Sequence, residues 1–179
     1  MPFDATLGQT VVVALRLVVP LLIFRRPLLG GVLSMLLDAT DVIIVEVFGP
    51  GGMGGRYHQL DKVLDLYYLS FEAWVSRAWV AVLPRTTSLA LFGWRVLGVG
   101  LFELSGARWL LFLFPNLFEH WFLFVLARNR WFPGVRLDSW RRIAAWLLVL
   151  LVPKLGQEYL LHVAEAQPWS WFKENVLGE

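Results

Sequence analysis

The sequence predicts an all-α protein, a polytopic membrane helix bundle of about six transmembrane helices plus a short C-terminal interfacial helix. Of its 179 residues, 58% are hydrophobic and 17% are charged, whereas soluble domains use roughly 45–50% apolar and 25% charged residues. Apolar stretches near the roughly 20 residues that cross a bilayer recur along the chain. Ten tryptophans are present, several near the ends of these stretches, where membrane interfaces favour them. The whole chain is predicted to form a single integral membrane domain.

The helix boundaries follow from proline, glycine and basic residues. A glycine-rich loop at 49–55 separates the second span from the third, and Pro84 with Arg85 is expected to stop the third. A basic loop covers 128–142, and the tail at 164–179 holds aromatic residues typical of an interfacial helix. The six predicted spans cover residues 10–24, 28–48, 61–83, 86–105, 108–127 and 143–163.

The positive charges predict an orientation, because arginine and lysine concentrate in cytoplasmic loops. The turns on one side of the predicted bundle hold eight of them, Arg25, Arg26, Arg85, Arg128, Arg130, Arg136, Arg141 and Arg142. The other side holds four, Arg56, Lys62, Arg108 and Lys173. Both termini are therefore predicted on the non-cytoplasmic side.

Composition also excludes several kinds of functional site and partner. The chain has no cysteine, which excludes disulfides, thiolate metal sites and cysteine nucleophiles. The positive charges form no basic run, so no nucleic-acid partner is expected; the lipid bilayer is the predicted partner, with other membrane subunits as an alternative. Haem is not expected, because His58 is predicted in a loop and the depths of His120 and His162 differ by roughly 15 Å at 1.5 Å per residue.

Acidic residues inside the apolar stretches are the main functional signal. Each charge costs roughly 2.5 to 3.5 kcal/mol at the centre of a membrane helix. Binding a cation, carrying a proton and pinning helices together are the three uses that remain open. Away from their ends, the predicted spans contain four bases, Arg16, Arg77, Arg95 and Lys154. They contain, or closely flank, nine acids, Asp38, Asp41, Glu46, Asp61, Asp65, Glu72, Glu103, Glu119 and Glu158.

The third span carries a polar stripe along one face. At 100° per residue its members fall within about 80° of one another. Charged groups in a membrane helix face the bundle interior, so this face is predicted to point inward. The stripe consists of Asp61, Asp65, Tyr68, Glu72 and Ser76.

Two aspartate pairs are predicted to meet at one depth. Asp41 lies roughly 10 Å before the end of the second span and Asp65 roughly 6 Å into the third, at 1.5 Å per residue. If the two helices are antiparallel neighbours, these residues and their partners Asp38 and Asp61 converge. Oxygen ligands without histidine or cysteine suit a hard cation such as Mg²⁺ or Mn²⁺, whereas a helix-pinning network uses the same residues without an ion.

The spacing of these aspartates resembles part of the CDP-alcohol phosphatidyltransferase signature, D-x2-D-G-x2-A-R-x8-G-x3-D-x3-D, over roughly residues 10–80. Asp38 and Asp41 match its first pair, and Asp61 and Asp65 match its last pair. The resemblance implies a six-span fold, with Asp38, Asp41 and Asp61 as ligands of a divalent metal and Asp65 as the catalytic base.

The chain departs from that signature between the two pairs. Val42 and Tyr57 stand where the family has glycine, the Ala-Arg pair is absent, and the gap between the pairs is two residues longer. Three functions remain open: a metal-dependent enzyme of the phosphatidyltransferase type or a degenerate relative, a non-catalytic subunit of a larger membrane complex, and a small transporter or proton pathway.

Overall fold

The computed structural model describes residues 7–47, 57–107 and 109–162. Every regular element in these residues is helical, which confirms the all-α prediction. A short 3₁₀ helix at Val19–Phe24 extends α1. The α-helices are α1 (Leu7–Val18), α2 (Pro27–Val47), α3 (Tyr57–Ser76), α4 (Val82–Ser105), α5 (Trp109–Leu113), α6 (Leu117–Trp131) and α7 (Trp140–His162).

Two segments of the described chain are long and apolar enough to cross a membrane, by length and composition. They are Leu7–Phe24, with a mean hydropathy of 2.1, and Val82–Ser105, with 1.3. The other predicted spans correspond to helices that are not among these two segments. The number of six spans therefore stays a prediction.

The first two helices form a tightly packed hairpin around the Arg25–Arg26 turn. Pro20 has no backbone N–H to donate to the Arg16 carbonyl, and the regular α1 ladder gives way to the 3₁₀ segment at this point. A Cβ added to Gly30 would lie 2.8 Å from the Ile23 Cα, and one added to Gly8 would lie 2.6 Å from the Val45 carbonyl oxygen. Glycine thus permits backbone contact at both ends of the hairpin.

Two predicted boundaries were wrong at the third and fourth spans. Helix α3 begins at Tyr57, so His58, predicted in a loop, lies in its first turn. It ends at Ser76, and α4 starts at Val82, so Pro84 lies inside α4 and does not stop α3. The first turn of a helix tolerates proline because its N–H groups have no partner inside the helix.

The fifth predicted span is broken into α5 and α6 around Pro115. The break frees the Phe114 carbonyl, which accepts a hydrogen bond from Arg95 Nη1 at 3.2 Å. Gly98 of α4 lies directly against the Phe114 side chain, with its added Cβ 2.6 Å from the Phe114 Cγ. Helix α4 therefore contacts the break in two ways, by the packing of Gly98 against Phe114 and by the hydrogen bond from Arg95.

Helix α6 supplies the largest core side chains. Phe118, Trp121 and Phe122 are fully buried. Trp121 Nε1 donates to the Pro84 carbonyl at 3.2 Å, which fixes α6 against the start of α4. Phe122 stacks on Trp79 with ring centroids 5.8 Å apart. The predicted interfacial helix at 164–179 and the glycine-rich loop at 49–55 lie outside the described residues.

Candidate functional site

Four aspartates surround one arginine between α1, α2 and α3. Arg16 Nη1 donates to Asp41 Oδ2 at 2.9 Å and to Asp61 Oδ1 at 2.6 Å. Its Nη2 donates to Asp38 Oδ1 at 2.6 Å and to Asp65 Oδ1 at 2.5 Å. We refer to Asp38, Asp41, Asp61 and Asp65 as the aspartate cluster. The structure thus brings together the four residues that the sequence singled out.

The helix hairpin explains how Arg16 reaches the aspartate cluster. Gly8, Val12 and Arg16 are the buried residues of α1 and recur every four positions, so they form one face of the helix. Gly8 and Val12 allow that face to lie close against α2, and Arg16 continues it. Only 3% of the Arg16 side chain is exposed, so the aspartates take over the hydrogen bonding that water would provide.

Two further bases approach the same carboxylates. Lys62 Nζ lies 2.9 Å from Asp61 Oδ2 and 3.7 Å from Asp65 Oδ2. Arg95 Nη2 lies 3.9 Å from Asp65 Oδ2. Counted as formal charges, the four carboxylates of the cluster exceed these three bases by one negative charge.

A subset of the aspartate cluster has the geometry of a metal site. Asp38, Asp61 and Asp65 each offer a carboxylate oxygen, and these oxygens all lie within 4.8 Å of one another. Carboxylate oxygens are the ligands that hard divalent cations prefer. This trio contains Asp65 in place of Asp41, whereas the family resemblance implies Asp38, Asp41 and Asp61; the division into ligands and base stays a prediction.

The predicted polar stripe of α3 faces the interior. Asp65, Tyr68, Glu72 and Ser76 are all buried, and the side chain of Asp61 is 18% exposed. The inward orientation predicted from the 100° periodicity is therefore confirmed.

Further along α3, beyond the aspartate cluster, the stripe contacts polar side chains at the start of α6 and just before it. The Tyr68 hydroxyl donates to Glu119 Oε1 at 2.8 Å. Asn116 Nδ2 donates to Glu119 Oε2 at 3.2 Å. These residues form a second polar layer that joins α3 to α6, which spacing within one helix could not reveal.

Sequence reasoning missed the bases of the site. Arg16 and Arg95 were recognised as intramembrane bases without being assigned to the aspartates, and Lys62 was counted as a loop residue. A signal was present for Arg16, because it is the one charged residue of α1 and therefore needs partners from another helix. For Lys62 the signal was its position between two aspartates of one helical turn.

The basic loop contains an aspartate in a contrasting environment. Asp138 is exposed and lies between Arg136 and Arg142, with Arg136 Nη2 at 2.6 Å and Arg142 Nη1 also hydrogen-bonded to it. Hydrogen bonds from Arg136 and Arg142 lower the pKa of Asp138 to about 2. Asp138 is thus an exposed aspartate paired with arginine, and it can be compared with the more buried aspartates that surround Arg16.

Comparison of the chain with models of known protein families, with curated proteins and with solved structures finds no match. The resemblance to the phosphatidyltransferase signature therefore rests on the four aspartates and their spacing.

Proposed function

We propose that this is a multi-pass membrane protein that binds a divalent cation at the aspartate cluster and acts on a phosphate-bearing lipid headgroup. The observation that carries the proposal is the convergence of Asp38, Asp61 and Asp65 from α2 and α3. Separate helices deliver these carboxylates to one place, at a desolvation cost that a bound cation would offset.

Membrane embedding is supported by the surface of α4. Trp94, Leu97 and Leu104 are 47%, 51% and 88% exposed. Only 28% of the apolar window of this helix is buried inside the protein, whereas a core helix of a soluble domain is covered on most sides. In the proposed bundle, lipid covers these side chains.

The first apolar segment is supported as a permanent span by its ion pairs. Arg16 lies inside Leu7–Phe24 and bonds to four carboxylates of α2 and α3. A segment so bonded belongs to the fold, unlike a leader sequence that is removed. We propose that six segments cross the membrane, with the arginine-rich turns in the cytoplasm and both termini on the opposite side.

Asp38, Asp61 and Asp65 would hold the cation, and Arg16 would share their carboxylates with it. A bound divalent ion supplies Lewis acidity and charge for a phosphoryl oxygen. Lys62 and Arg95 lie beside the same carboxylates and would attract the negative phosphate. In the family resemblance Asp65 accepts the proton of the attacking alcohol, and its Oδ2 faces these two bases.

The test measures Mn²⁺ binding and headgroup transfer by the whole chain in lipid vesicles. Electron paramagnetic resonance reports bound Mn²⁺, and vesicles containing a CDP-activated lipid with a free alcohol report transfer. We expect Asp61→Asn and Asp65→Asn to weaken Mn²⁺ binding at least about tenfold, since each removes a charged ligand, and to abolish transfer.

Asp138→Asn is the matched control, because it makes the same chemical change at an exposed carboxylate far from the cluster in sequence. It should leave Mn²⁺ binding and transfer unchanged. Equal Mn²⁺ binding in all three variants and the unmodified protein would rule out the proposed site.

A second candidate function is a non-catalytic membrane subunit in which the aspartate cluster pins helices. The observation that favours it is Arg16, which already bridges all four carboxylates at 2.5–2.9 Å. A guanidinium with five donors can serve as the bridging cation without a metal.

Thermal unfolding in detergent separates the two candidates. If the cluster is a specific metal site, Mn²⁺ should raise the unfolding midpoint. At a Mn²⁺ concentration one hundred times Kd, the free energy of unfolding should increase by about 2.7 kcal/mol. The helix-pinning function predicts no effect of Mn²⁺ on the midpoint and a large loss of stability in the Asp61→Asn variant.

A further inference from the structure

Glu72 of α3 is a fully buried carboxyl group, with an exposed fraction of 0%. Among the described residues neither of its carboxylate oxygens has a hydrogen-bond partner. Buried polar groups are nearly always hydrogen-bonded in folded proteins, so such a group calls for an explanation.

The surroundings of Glu72 are mostly apolar. A Cβ added to Gly31 of α2 would lie 2.9 Å from Glu72 Oε1 and 2.8 Å from Leu123 Cδ2, with Phe122 Cε1 at 3.4 Å. The carboxyl group therefore lies in a niche between the backbone of α2 and apolar side chains of α6. An ionised carboxylate without donors is very costly there, and such a group neutralises instead.

Glu119 of α6 has the opposite environment although it is also buried. It accepts hydrogen bonds from Tyr68 at 2.8 Å and from Asn116 at 3.2 Å. Hydrogen-bond donors on α3 and at Asn116, the residue before α6, thus reach the Glu119 carboxylate.

The two carboxyl groups oppose each other's ionisation. Glu119 is the titratable group that acts on Glu72, and like charges in a low-dielectric interior repel strongly. The α2 side of the niche contributes Gly31, which carries no charge. The charged form of Glu72 therefore lacks support from every contact described for it.

We propose that Glu72 is a proton-binding site, which holds a neutral carboxylic acid at neutral pH. The bound species is a proton and not a metal ion, since a cation would require the ionised form of Glu72. Glu72 lies seven residues after Asp65, about 10 Å along the helix axis at 1.5 Å per residue. The bundle would thus contain an exchangeable proton that is separate from the aspartate cluster.

Infrared spectroscopy of the full chain in vesicles at pH 7 tests the proposal through the C=O stretch of protonated carboxyl groups. We expect one buried, slowly deuterating band in the unmodified protein. Labelling with ¹³C-glutamate should shift it, which assigns it to glutamate without any substitution. The band should vanish in Glu72→Gln and remain in Glu119→Gln.

Glu103→Gln is the control, because it alters an exposed glutamate of α4 and should leave the band in place. The proposal is overturned if no band shifts with ¹³C-glutamate at pH 7, since Glu72 is then ionised. It is equally overturned if the band persists in folded Glu72→Gln and disappears in Glu119→Gln. If Glu72→Gln does not fold, a glutamate band that remains in both Glu119→Gln and Glu103→Gln supports the proposal, and a band that disappears in Glu119→Gln overturns it.

Discussion

At the scale of single residues, Arg16 is the side chain that joins the four members of the aspartate cluster. Its two terminal nitrogens bond to carboxylates of two different helices. Lysine provides the same charge but lacks the planar fork that reaches several acceptors in fixed directions. The geometry of the site therefore depends on the guanidinium as well as on its charge.

Replacing Arg16 with glutamine should strongly destabilise the protein. The change leaves four carboxylates facing one another, and removing one partner of a buried ion pair typically costs about 3–5 kcal/mol. Arg16→Lys should restore part of that loss, since it keeps the charge. Denaturant unfolding in detergent micelles, followed by circular dichroism, measures both variants.

Arg26→Gln is the matched control for these variants. Arg26 is exposed in the turn before α2, and exposed substitutions usually change stability by less than about 0.5 kcal/mol. If Arg16→Gln were as stable as Arg26→Gln, the four hydrogen bonds of Arg16 would contribute nothing to the free energy of unfolding.

At the scale of elements, α2 is built to let other chain segments approach. Gly30 faces the backbone of the 3₁₀ segment, and Gly31 faces Glu72 of α3 and Leu123 of α6. Ser34, one turn later, is buried and donates to the Gly30 carbonyl at 2.8 Å. Small residues at these positions let the neighbouring backbones approach closely, which larger side chains would prevent.

Gly31→Ala should destabilise the bundle although alanine favours helices. The new methyl group would lie 2.8–2.9 Å from Leu123 Cδ2 and Glu72 Oε1, and overpacking of this kind costs about 1–3 kcal/mol. Thermal unfolding in detergent micelles measures the effect.

Gly100→Ala makes the same change in α4 at an exposed position where an added Cβ meets nothing within 4 Å. There the better helix propensity of alanine should leave stability equal or raise it by up to about 1 kcal/mol. Equal destabilisation by both substitutions would contradict the packing described at Gly31.

Proline shows where element prediction failed. Pro115 lies in the break that divides the fifth predicted span, which the sequence predicts as one continuous segment. Pro84 was predicted to end a helix and instead lies in the first turn of the next one. The residue type alone does not distinguish the two outcomes, because a proline has the same lack of N–H at a helix end and at a helix start.

At the scale of the whole molecule, the described helices bury several charged side chains and expose several large apolar ones. Buried charged residues such as Arg16, Asp65 and Glu72 lie inside, while Leu104 and Val152 are 88% and 72% exposed. Water-soluble proteins show the reverse preference for charge. The lipid environment proposed above would account for this arrangement.

Cysteine labelling should locate the membrane, because the chain has no native cysteine. In vesicles, Leu97→Cys on the exposed face of α4 should react much more slowly with a water-soluble maleimide than Gly134→Cys in the α6–α7 loop. Lipid covers the first thiol and prevents its ionisation, and water reaches the second. Equal reaction rates at the two positions would contradict the proposed placement of α4 in the bilayer.

The sequence by itself determined the helical class and the inward face of α3, since both follow from composition and from the 3.6-residue period within one segment. It also indicated the four aspartates, because isolated acids in apolar helices are conspicuous. Only the tertiary structure showed that Arg16, Lys62 and Arg95 surround them and that Glu72 has no partner among the described residues. Those relations join different helices, and spacing along a chain carries no information about which helix faces lie against one another.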